Sequence, residues 1–263
     1  MTSKLRSVFG AGVLSLFLLS CDKDEDDTKP QIMKPAYAVS ESNQLLRFDP
    51  ENNADLVSMA ISGLQAGENI VGVDFRPVNR MLYAIGSNNR IYTIDTTTGA
   101  ASFVATLSIP LSGASFGIDF NPVPDRIRII SNTGQNLRVN PVDGVTINDG
   151  TINPSPATVT AAAYTNSVAG ATSTSLYVID TDADKLFIQN PPNNGTLTMG
   201  MNLGINADAT SGFDISGKNG TAYAILSTGN NTSLYTINLT SGQATMVRAF
   251  PMKVMGLALG SNY

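Results

Sequence analysis

The sequence predicts an all-β fold, a five-bladed β-propeller of four-stranded antiparallel blades. Three observations predict it. A short apolar segment recurs every 44 to 50 residues, a pair of alternating strands follows each of its first four copies, and a fifth copy at 254–259 has no hairpin after it. A four-stranded unit repeating at this spacing is typical of propellers. A β-sandwich is the alternative fold, although it would not need this internal regularity.

The recurring segment is predicted to be the innermost strand of each blade. Its clearest copies are VGVDF at 71–75 and FGIDF at 116–120, which place Asp74 and Asp119 45 residues apart. The other copies lie at 161–164, 211–215 and 254–259. In a propeller this strand lines the ring axis, so side chains at equivalent positions are expected to face one another there.

The second and third strands of each blade are predicted from alternating apolar and polar residues. The connecting turns are rich in Asn, Gly, Ser and Asp, as hairpins require. These hairpins lie at 36–49, 81–95, 126–140, 175–190 and 221–238. A fourth strand follows each of them, at 56–61, 102–107, 145–148, 196–201 and 244–250.

The two ends of the repeat complement each other. The unit at 36–61 has strands two to four but lacks a first strand, whereas 254–259 is a first strand without a blade. We expect the C-terminal strand to pair with the N-terminal blade, because this pairing closes the ring and leaves no open end. Residues 36–263 are therefore predicted to form one propeller domain.

The N-terminus is interpreted as a lipoprotein signal peptide over residues 1–20. Lys4 and Arg6 precede the apolar stretch 8–19, which as a helix would be about 18 Å long, shorter than the ~30 Å hydrocarbon core of a bilayer. Leu18-Leu19-Ser20-Cys21 resembles the lipobox of bacterial lipoproteins, which implies that Cys21 is acylated and anchors the chain to a membrane. The alternative is a plain secretory signal followed by an incidental cysteine.

Residues 21–35 are interpreted as the lipidated cysteine and a solvated tether. Five acids and one lysine occupy 22–27, a composition that cannot bury apolar surface. This tract resembles the export signal that follows the lipidated cysteine in surface lipoproteins of Bacteroidota. The resemblance implies an outer-membrane lipoprotein on the cell surface; a periplasm-facing lipoprotein with a charged spacer is the alternative.

Composition excludes several classes of function. The chain of 263 residues has no His and one Cys, so Ser-His-Asp triads, Cys-His dyads, HExxH zinc sites and intrachain disulfides are ruled out. A formal charge of −5 with 16 Lys and Arg argues against nucleic acid as a partner. No glycine-rich phosphate loop opens a helix, so nucleotide binding has no support. The protein is expected to be a monomer.

The stretch 116–141, FGIDFNPVPDRIRIISNTGQNLRVNP, resembles the core motif of the bacterial domain of unknown function family 4394. The likeness extends over most of 36–259. It implies a secreted, propeller-like domain and carries no established activity.

Three carboxylates form the first candidate site. Asp74, Asp119 and Asp214 occupy equivalent first-strand positions, and a ring of carboxylates at the axis could bind Ca²⁺ through its oxygens. The other two blades have Tyr164 and Ala258 there, so the ring is incomplete. The alternative is a structural Asp that each of these blades needs. No cofactor other than Ca²⁺ is predicted.

Four arginines form the second candidate site. Arg126, Arg128 and Arg138 cluster in one repeat, and Arg47 matches Arg138 in the first blade. Converging guanidinium groups could bind a carboxylate, sulfate or phosphate, but whether Arg138 shares a face with Arg128 depends on the register. The alternative is a set of ion pairs, for which the candidate partners are Asp125, Asp143 and Asp149.

Asp180–Asp184 has the spacing of the start of an EF-hand loop but Lys185 at its sixth position, so a hairpin turn is predicted there.

Taken together, the sequence features favour a binding or interaction module for a glycan, polymer or protein. The alternative is a metal-assisted hydrolase or lactonase-like propeller enzyme.

Overall fold

The computed structural model describes residues 1–2, 35–52, 56–208 and 211–260. The chain divides into two units, Met1–Gln31 and Ile32–Tyr263, and the fold is that of the second. Cys21 and the acidic tract 22–27 lie outside the described residues. Within the described ranges, no helix has the length and apolar character needed to cross a membrane.

The described part of the second unit consists of twenty strands and one short 3-10 helix, Pro192–Asn194. The strands are β1 (Ala36–Ser40), β2 (Gln44–Phe48), β3 (Val57–Ala60), β4 (Ile70–Phe75), β5 (Leu82–Gly86), β6 (Arg90–Ile94), β7 (Ala101–Thr106), β8 (Phe116–Asn121), β9 (Arg126–Ser131), β10 (Asn136–Val139), β11 (Thr146–Asn148), β12 (Val159–Tyr164), β13 (Leu176–Asp180), β14 (Lys185–Gln189), β15 (Leu197–Asn202), β16 (Ser211–Ile215), β17 (Ala222–Thr228), β18 (Asn231–Ile237), β19 (Ala244–Phe250) and β20 (Val254–Leu259).

The strands form five four-stranded antiparallel sheets, which are the blades of the propeller. Blade 1 has the order β20-β1-β2-β3, and blades 2 to 5 are β4–β7, β8–β11, β12–β15 and β16–β19. The predicted closure is confirmed, because β20 pairs with β1 from Ala36 opposite Leu259 to Ser40 opposite Val254. The five-bladed fold is confirmed, and the predicted hairpin at Asp180–Asp184 is the turn between β13 and β14.

The apolar core lies between the blades. Its buried residues form five clusters, and each cluster joins the facing sides of two neighbouring blades. Tyr83 of blade 2 meets Phe120 of blade 3 edge-to-face, with ring centroids 5.3 Å apart. Burial between blades is the main hydrophobic contribution to stability, and it explains why both faces of most strands are apolar.

The innermost strands approach one another closely at the ring axis. A Cβ atom on Gly117 would lie 2.6 Å from backbone atoms of Ala161 and Ala162 in blade 4. A Cβ on Gly212 would lie 2.8 Å from the backbone of Gly256 in blade 1. Because backbone atoms cannot move aside cheaply, only glycine fits at these two positions. The axis between these glycines holds a cavity of only about 10 Å³.

Candidate functional site

Asp74, Asp119 and Asp214 lie together on the ring axis near the C-terminal ends of β4, β8 and β16. Their side chains are buried, and one carboxylate oxygen from each lies within 4.8 Å of the others. The sequence predicted this meeting from the equivalent positions in the repeat. Of the two blades that lack the Asp, blade 1 has Ala258 at this position, as predicted. In blade 4 the prediction of Tyr164 is wrong by one residue: Ala163 lies opposite Tyr177 as Asp74 lies opposite Tyr83, so Ala163 is the equivalent residue. The offset of 45 residues does not hold there, because the loop lengths between blades differ.

Each of these carboxylates connects its blade to the next one. Asp74 Oδ2 accepts the Phe120 N–H at 2.7 Å, Asp119 Oδ1 accepts the Tyr164 N–H at 3.1 Å, and Asp214 Oδ2 accepts the Leu259 N–H at 2.6 Å. In each case the donor belongs to the innermost strand of the neighbouring blade. The repeated Asp therefore has a structural part to play, since it satisfies a backbone N–H that ring closure would otherwise bury unpaired.

Burial raises the pKa of each of these acids, and repulsion between them adds to the shift for Asp74 and Asp119, which favours the protonated, neutral form. Burial raises the pKa of Asp214 from its ordinary 3.8 to about 7. Burial, then the charge of Asp214, raises the pKa of Asp74, and Asp119 has a raised pKa from burial and from both neighbours. Backbone N–H donors act in the opposite direction but are outweighed. Without a cation, three buried carboxylates cannot all be ionised at little cost.

A cation would fit the geometry of this cluster. Ca²⁺ binds oxygen ligands at about 2.3–2.6 Å, so oxygens within 4.8 Å of one another can share one ion. Each carboxylate has roughly four lone-pair positions, and the backbone hydrogen bonds leave some of them free. Asp74, Asp119 and Asp214 are therefore the residues that would hold a metal.

Above the cluster the axis opens into a cavity of about 120 Å³, which we call the mouth cavity. Asp74 and Asp214 lie on its floor, whereas Asp119 does not line it. Its walls are the last residues of the innermost strands of blades 1, 2 and 5, together with segments that follow the innermost strands of blades 1, 2, 4 and 5. The wall residues are Phe75, Arg76, Pro77, Arg80, Ser167, Val168, Ala169, Ile215, Gly217, Leu259 and Gly260.

The two arginines of the mouth cavity differ in their partners. Arg76 Nε donates to Asp125 Oδ1 at 2.9 Å, and Arg76 Nη1 donates to the Tyr83 hydroxyl at 3.2 Å. This bidentate pair joins blade 2 to blade 3. The Arg80 side chain is exposed, and within the described part of the chain its guanidinium has no hydrogen bond or ion pair. Arg80 is thus the cation of the wall that is available to a ligand.

Arg80 also has an unusual backbone conformation. Its φ is +59°, in the left-handed region, and its N–H donates to the carbonyl of Arg76 at 2.8 Å. Asp125 and Gly220 occupy the same place in the corresponding turns of blades 3 and 5, with φ of +53° and +74°. Glycine, Asn and Asp tolerate this region, whereas a long side chain is rare there.

Sequence reasoning did not identify Arg76 and Arg80 as site residues. An alignment of the turns between the first and second strands could have identified Arg80, because the equivalent residue is Gly220 in blade 5 and Asp125 in blade 3. Nothing in the sequence indicated that residues 167–169 would line the mouth cavity. The loop after β12 is longer than the equivalent turns, and its path depends on packing.

The predicted arginine cluster is partly assembled. Arg128 lies directly opposite Arg138, so the two share a face of blade 3. Both donate to Asp149 Oδ2, Arg128 from Nη1 at 2.8 Å and Arg138 from Nε at 2.7 Å. Asp149, one of the three candidate ion-pair partners, therefore occupies the place between these guanidinium groups. An anionic ligand would have to displace it.

Arg128 is the more deeply buried of the two, with 1% of its side chain exposed. It also donates to Asn136 Oδ1 at 2.8 Å, to Asn193 Oδ1 at 2.7 Å and to the Tyr164 hydroxyl at 3.2 Å. The last two acceptors belong to blade 4. This network holds blades 3 and 4 together, and each of the three guanidinium nitrogens of Arg128 already donates to a protein acceptor.

The other two predicted arginines lie apart from this pair. Arg126 Nη1 donates to the carbonyl oxygens of Pro124 and Asp125, at 3.2 and 2.8 Å, within its own turn. Arg47 is on β2 of blade 1, opposite Tyr37 and Val57. The four arginines therefore do not converge on one surface.

Comparison with solved structures supports the fold. One chain of the crystal structure of a nidogen/laminin complex superposes with a TM-score of 0.54 and 11% identity, covering 86% of this chain and 98% of its own length. A structural genomics protein of unknown function from Bacteroides thetaiotaomicron VPI-5482 has a TM-score of 0.52 and 12% identity, covering 81% of this chain. This chain matches 58% of that protein's length. At such low identity these similarities show the fold alone.

Sequence comparison identifies the family. No curated protein has a sequence detectably similar to this chain. The family profile for the domain of unknown function DUF4394 matches residues 44–258, which includes strands of all five blades. The chain therefore belongs to the DUF4394 family of domains of unknown function.

Proposed function

We propose that this protein is a binding module that takes its ligand at the mouth cavity. The observation that carries the proposal is the combination of opposite charges in one concave site on the ring axis. Asp74 and Asp214 lie on the floor, and Arg80 lies on the wall without a partner among the described residues. Ligand sites are typically concave and mostly apolar, with a few convergent polar groups; this cavity combines apolar wall residues with charged groups on its floor and wall.

The size of the mouth cavity limits what it can take. At about 120 Å³ it is smaller than the 300–1,000 Å³ typical of drug-sized ligands. It suits a small molecule or the terminal group of a glycan, polymer or protein, with the remainder of a larger partner resting on the turns around the mouth.

Filling the mouth cavity tests this proposal. We expect Val168→Trp, on the cavity wall, to weaken ligand binding at least about tenfold, because the larger ring occupies ligand volume. Val142→Trp is the matched control, since Val142 is an exposed valine of blade 3 that does not line the cavity. The measurement is the rise in melting temperature with a panel of small sugars, carboxylates, amines, amino acids and Ca²⁺.

The proposal is supported if a compound stabilises the wild type and Val142→Trp but not Val168→Trp. It is overturned if every stabilising compound acts equally on all three proteins, or if no compound in the panel stabilises the wild type.

We further propose that the module is held at the outer membrane by a lipid on Cys21, with residues 22–35 as a tether and the propeller on the cell surface. The support is the lipobox-like sequence before Cys21 and the acidic tract after it. Protease treatment of intact cells is expected to remove the propeller. A protein that survives this treatment but is digested after the outer membrane is permeabilised faces the periplasm instead.

The competing proposal is a metal-assisted hydrolase. The observation in its favour is the set of three carboxylates within 4.8 Å of one another, which could hold a cation at the floor of the mouth cavity. A metal there would polarise a substrate carbonyl or activate a water molecule. This proposal requires a bound cation, and a melting temperature that Ca²⁺ leaves unchanged would overturn it for that ion.

A further inference from the structure

We propose that the ligand of the mouth cavity is a small zwitterion, an amino acid whose ammonium group binds Asp74 and Asp214 and whose carboxylate binds Arg80. The inference rests on the proposed function of this cavity and names its ligand class. Three properties of the cavity carry it: a preorganised acidic floor, a cationic wall residue with no partner among the described residues, and an apolar remainder of the lining.

The floor is built to receive a compact cation. Asp214 is fixed by the Ile215 and Leu259 N–H groups, both at 2.6 Å, and Asp74 by those of Phe75 and Phe120, both at 2.7 Å. These four hydrogen bonds hold the carboxylates in place before a ligand arrives, so little ordering is needed on binding. An ammonium group offers three donors, which the remaining lone pairs can accept, and its charge relieves the repulsion between the acids.

The wall supplies the opposite charge. Arg76 is engaged by Asp125, whereas the Arg80 guanidinium is free of described partners and can pair bidentately with a carboxylate. Stability alone would favour Asn or Gly at a φ of +59°, as in the equivalent turns that carry Asp125 and Gly220. Arg80 places a positive charge at the mouth in spite of this preference.

The remaining surface suits a short apolar side chain. Phe75, Pro77, Val168 and Leu259 also line the cavity. The cavity volume is about 120 Å³, and the cavity is open on one side. A cavity of this size restricts the proposed ligand to an amino acid with a small side chain, for which L-valine is the probe.

The experiment compares three probes by calorimetry at pH 7: L-valine, L-valinamide, which lacks the carboxylate, and N-acetyl-L-valine, which lacks the ammonium group. We expect L-valine to bind the wild type at least about tenfold more tightly than either analogue, since each analogue leaves one charged group of the site unpaired.

Two variants test which side chain of the site binds the carboxylate of the ligand and which binds its ammonium group. Arg80→Asn is expected to bind L-valine and L-valinamide equally, because the carboxylate has lost its partner. Its melting temperature should equal or exceed that of the wild type, because Asn tolerates the left-handed conformation. Asp214→Asn should reduce the preference for L-valine over N-acetyl-L-valine, because one of the two carboxylates that accept from the ammonium group is gone. Asp143→Asn, an exposed acid on a turn of blade 3, is the control and should bind as the wild type does.

The inference is overturned if L-valine does not bind, if L-valinamide binds the wild type as tightly as L-valine, or if Arg80→Asn keeps the preference for L-valine. If a sugar or a simple carboxylate binds, its binding is weakened by Val168→Trp, and L-valine does not bind, the ligand is not a zwitterion. The proposed function of the cavity as a ligand site would still be supported. If no probe responds to Val168→Trp, the proposed function fails as well.

Discussion

Replacing Asp149 by alanine is expected to lower the free energy of unfolding by about 3 to 5 kcal/mol, because it leaves the buried Arg128 guanidinium without its counter-ion. Asp149 accepts from Arg128 at 2.8 Å, and the exposed fractions of the two side chains are 6% and 1%. The remaining partners of Arg128, which are Asn136, Asn193 and Tyr164, are neutral and cannot balance the charge. Urea unfolding followed by circular dichroism measures the loss.

Matched variants separate the charge from the packing. Asp149→Asn keeps the size of the side chain but removes its charge, so an intermediate loss is expected. Asp143→Ala removes an exposed acid of the same blade and should cost no more than about 1 kcal/mol, since it loses only a turn hydrogen bond to the Val145 N–H. A loss for Asp149→Ala no larger than that for Asp143→Ala would show that the Arg128 charge is balanced in another way.

The second large effect is on the pH dependence of stability. The free energy of unfolding is expected to fall as the pH rises from about 4 through 7, because burial raises the pKa of Asp214 from 3.8 to about 7. In this window the folded protein keeps a proton that the unfolded chain has released, so the slope is negative, up to about 1.4 kcal/mol per pH unit for one proton. The raised pKa values of Asp74 and Asp119 act in the same direction.

Urea unfolding at intervals from pH 4 to pH 8 measures this slope. Asp214→Asn should make the slope shallower, whatever the variant costs at pH 4, because one of the three titrating groups is gone and its charge no longer raises the pKa of Asp74 and Asp119. Stability that is constant or rising over this range would contradict the raised pKa. If Ca²⁺ binds the three carboxylates, as the hydrolase proposal requires, it should restore stability most at pH 8, where the free acids repel one another most strongly.

The fold could be predicted in detail because a propeller repeats one local pattern. Each of the predicted first and fourth strands begins and ends within two residues of the observed one, from β3 (Val57–Ala60) to β19 (Ala244–Phe250). Alternation, turn composition and a period near 45 residues are properties of the chain itself. The closure of the ring could also be predicted, because 254–259 is a first strand without a blade of its own and the N-terminal blade lacks a first strand.

The candidate site could be predicted only in part. The meeting of Asp74, Asp119 and Asp214 follows from their equivalent positions, because rotation about the ring axis carries one into the next. The arginines are different. The partner that Arg128 and Arg138 share, Asp149, comes from the segment after β11. Such a contact depends on the path of a loop, which periodicity does not describe.

The sequence by itself determined the class of fold, the number of blades, the closure by the last strand and the gathering of three acids on the axis. Each of these is a consequence of a repeated pattern read along one chain. Only the tertiary structure decided which charges are paired. It buries Arg128 against Asp149, engages Arg76 with Asp125 and leaves Arg80 at a cavity above Asp74 and Asp214. The physical reason is that a charge is balanced by whatever lies within a few ångströms of it, and those neighbours come from different blades and loops.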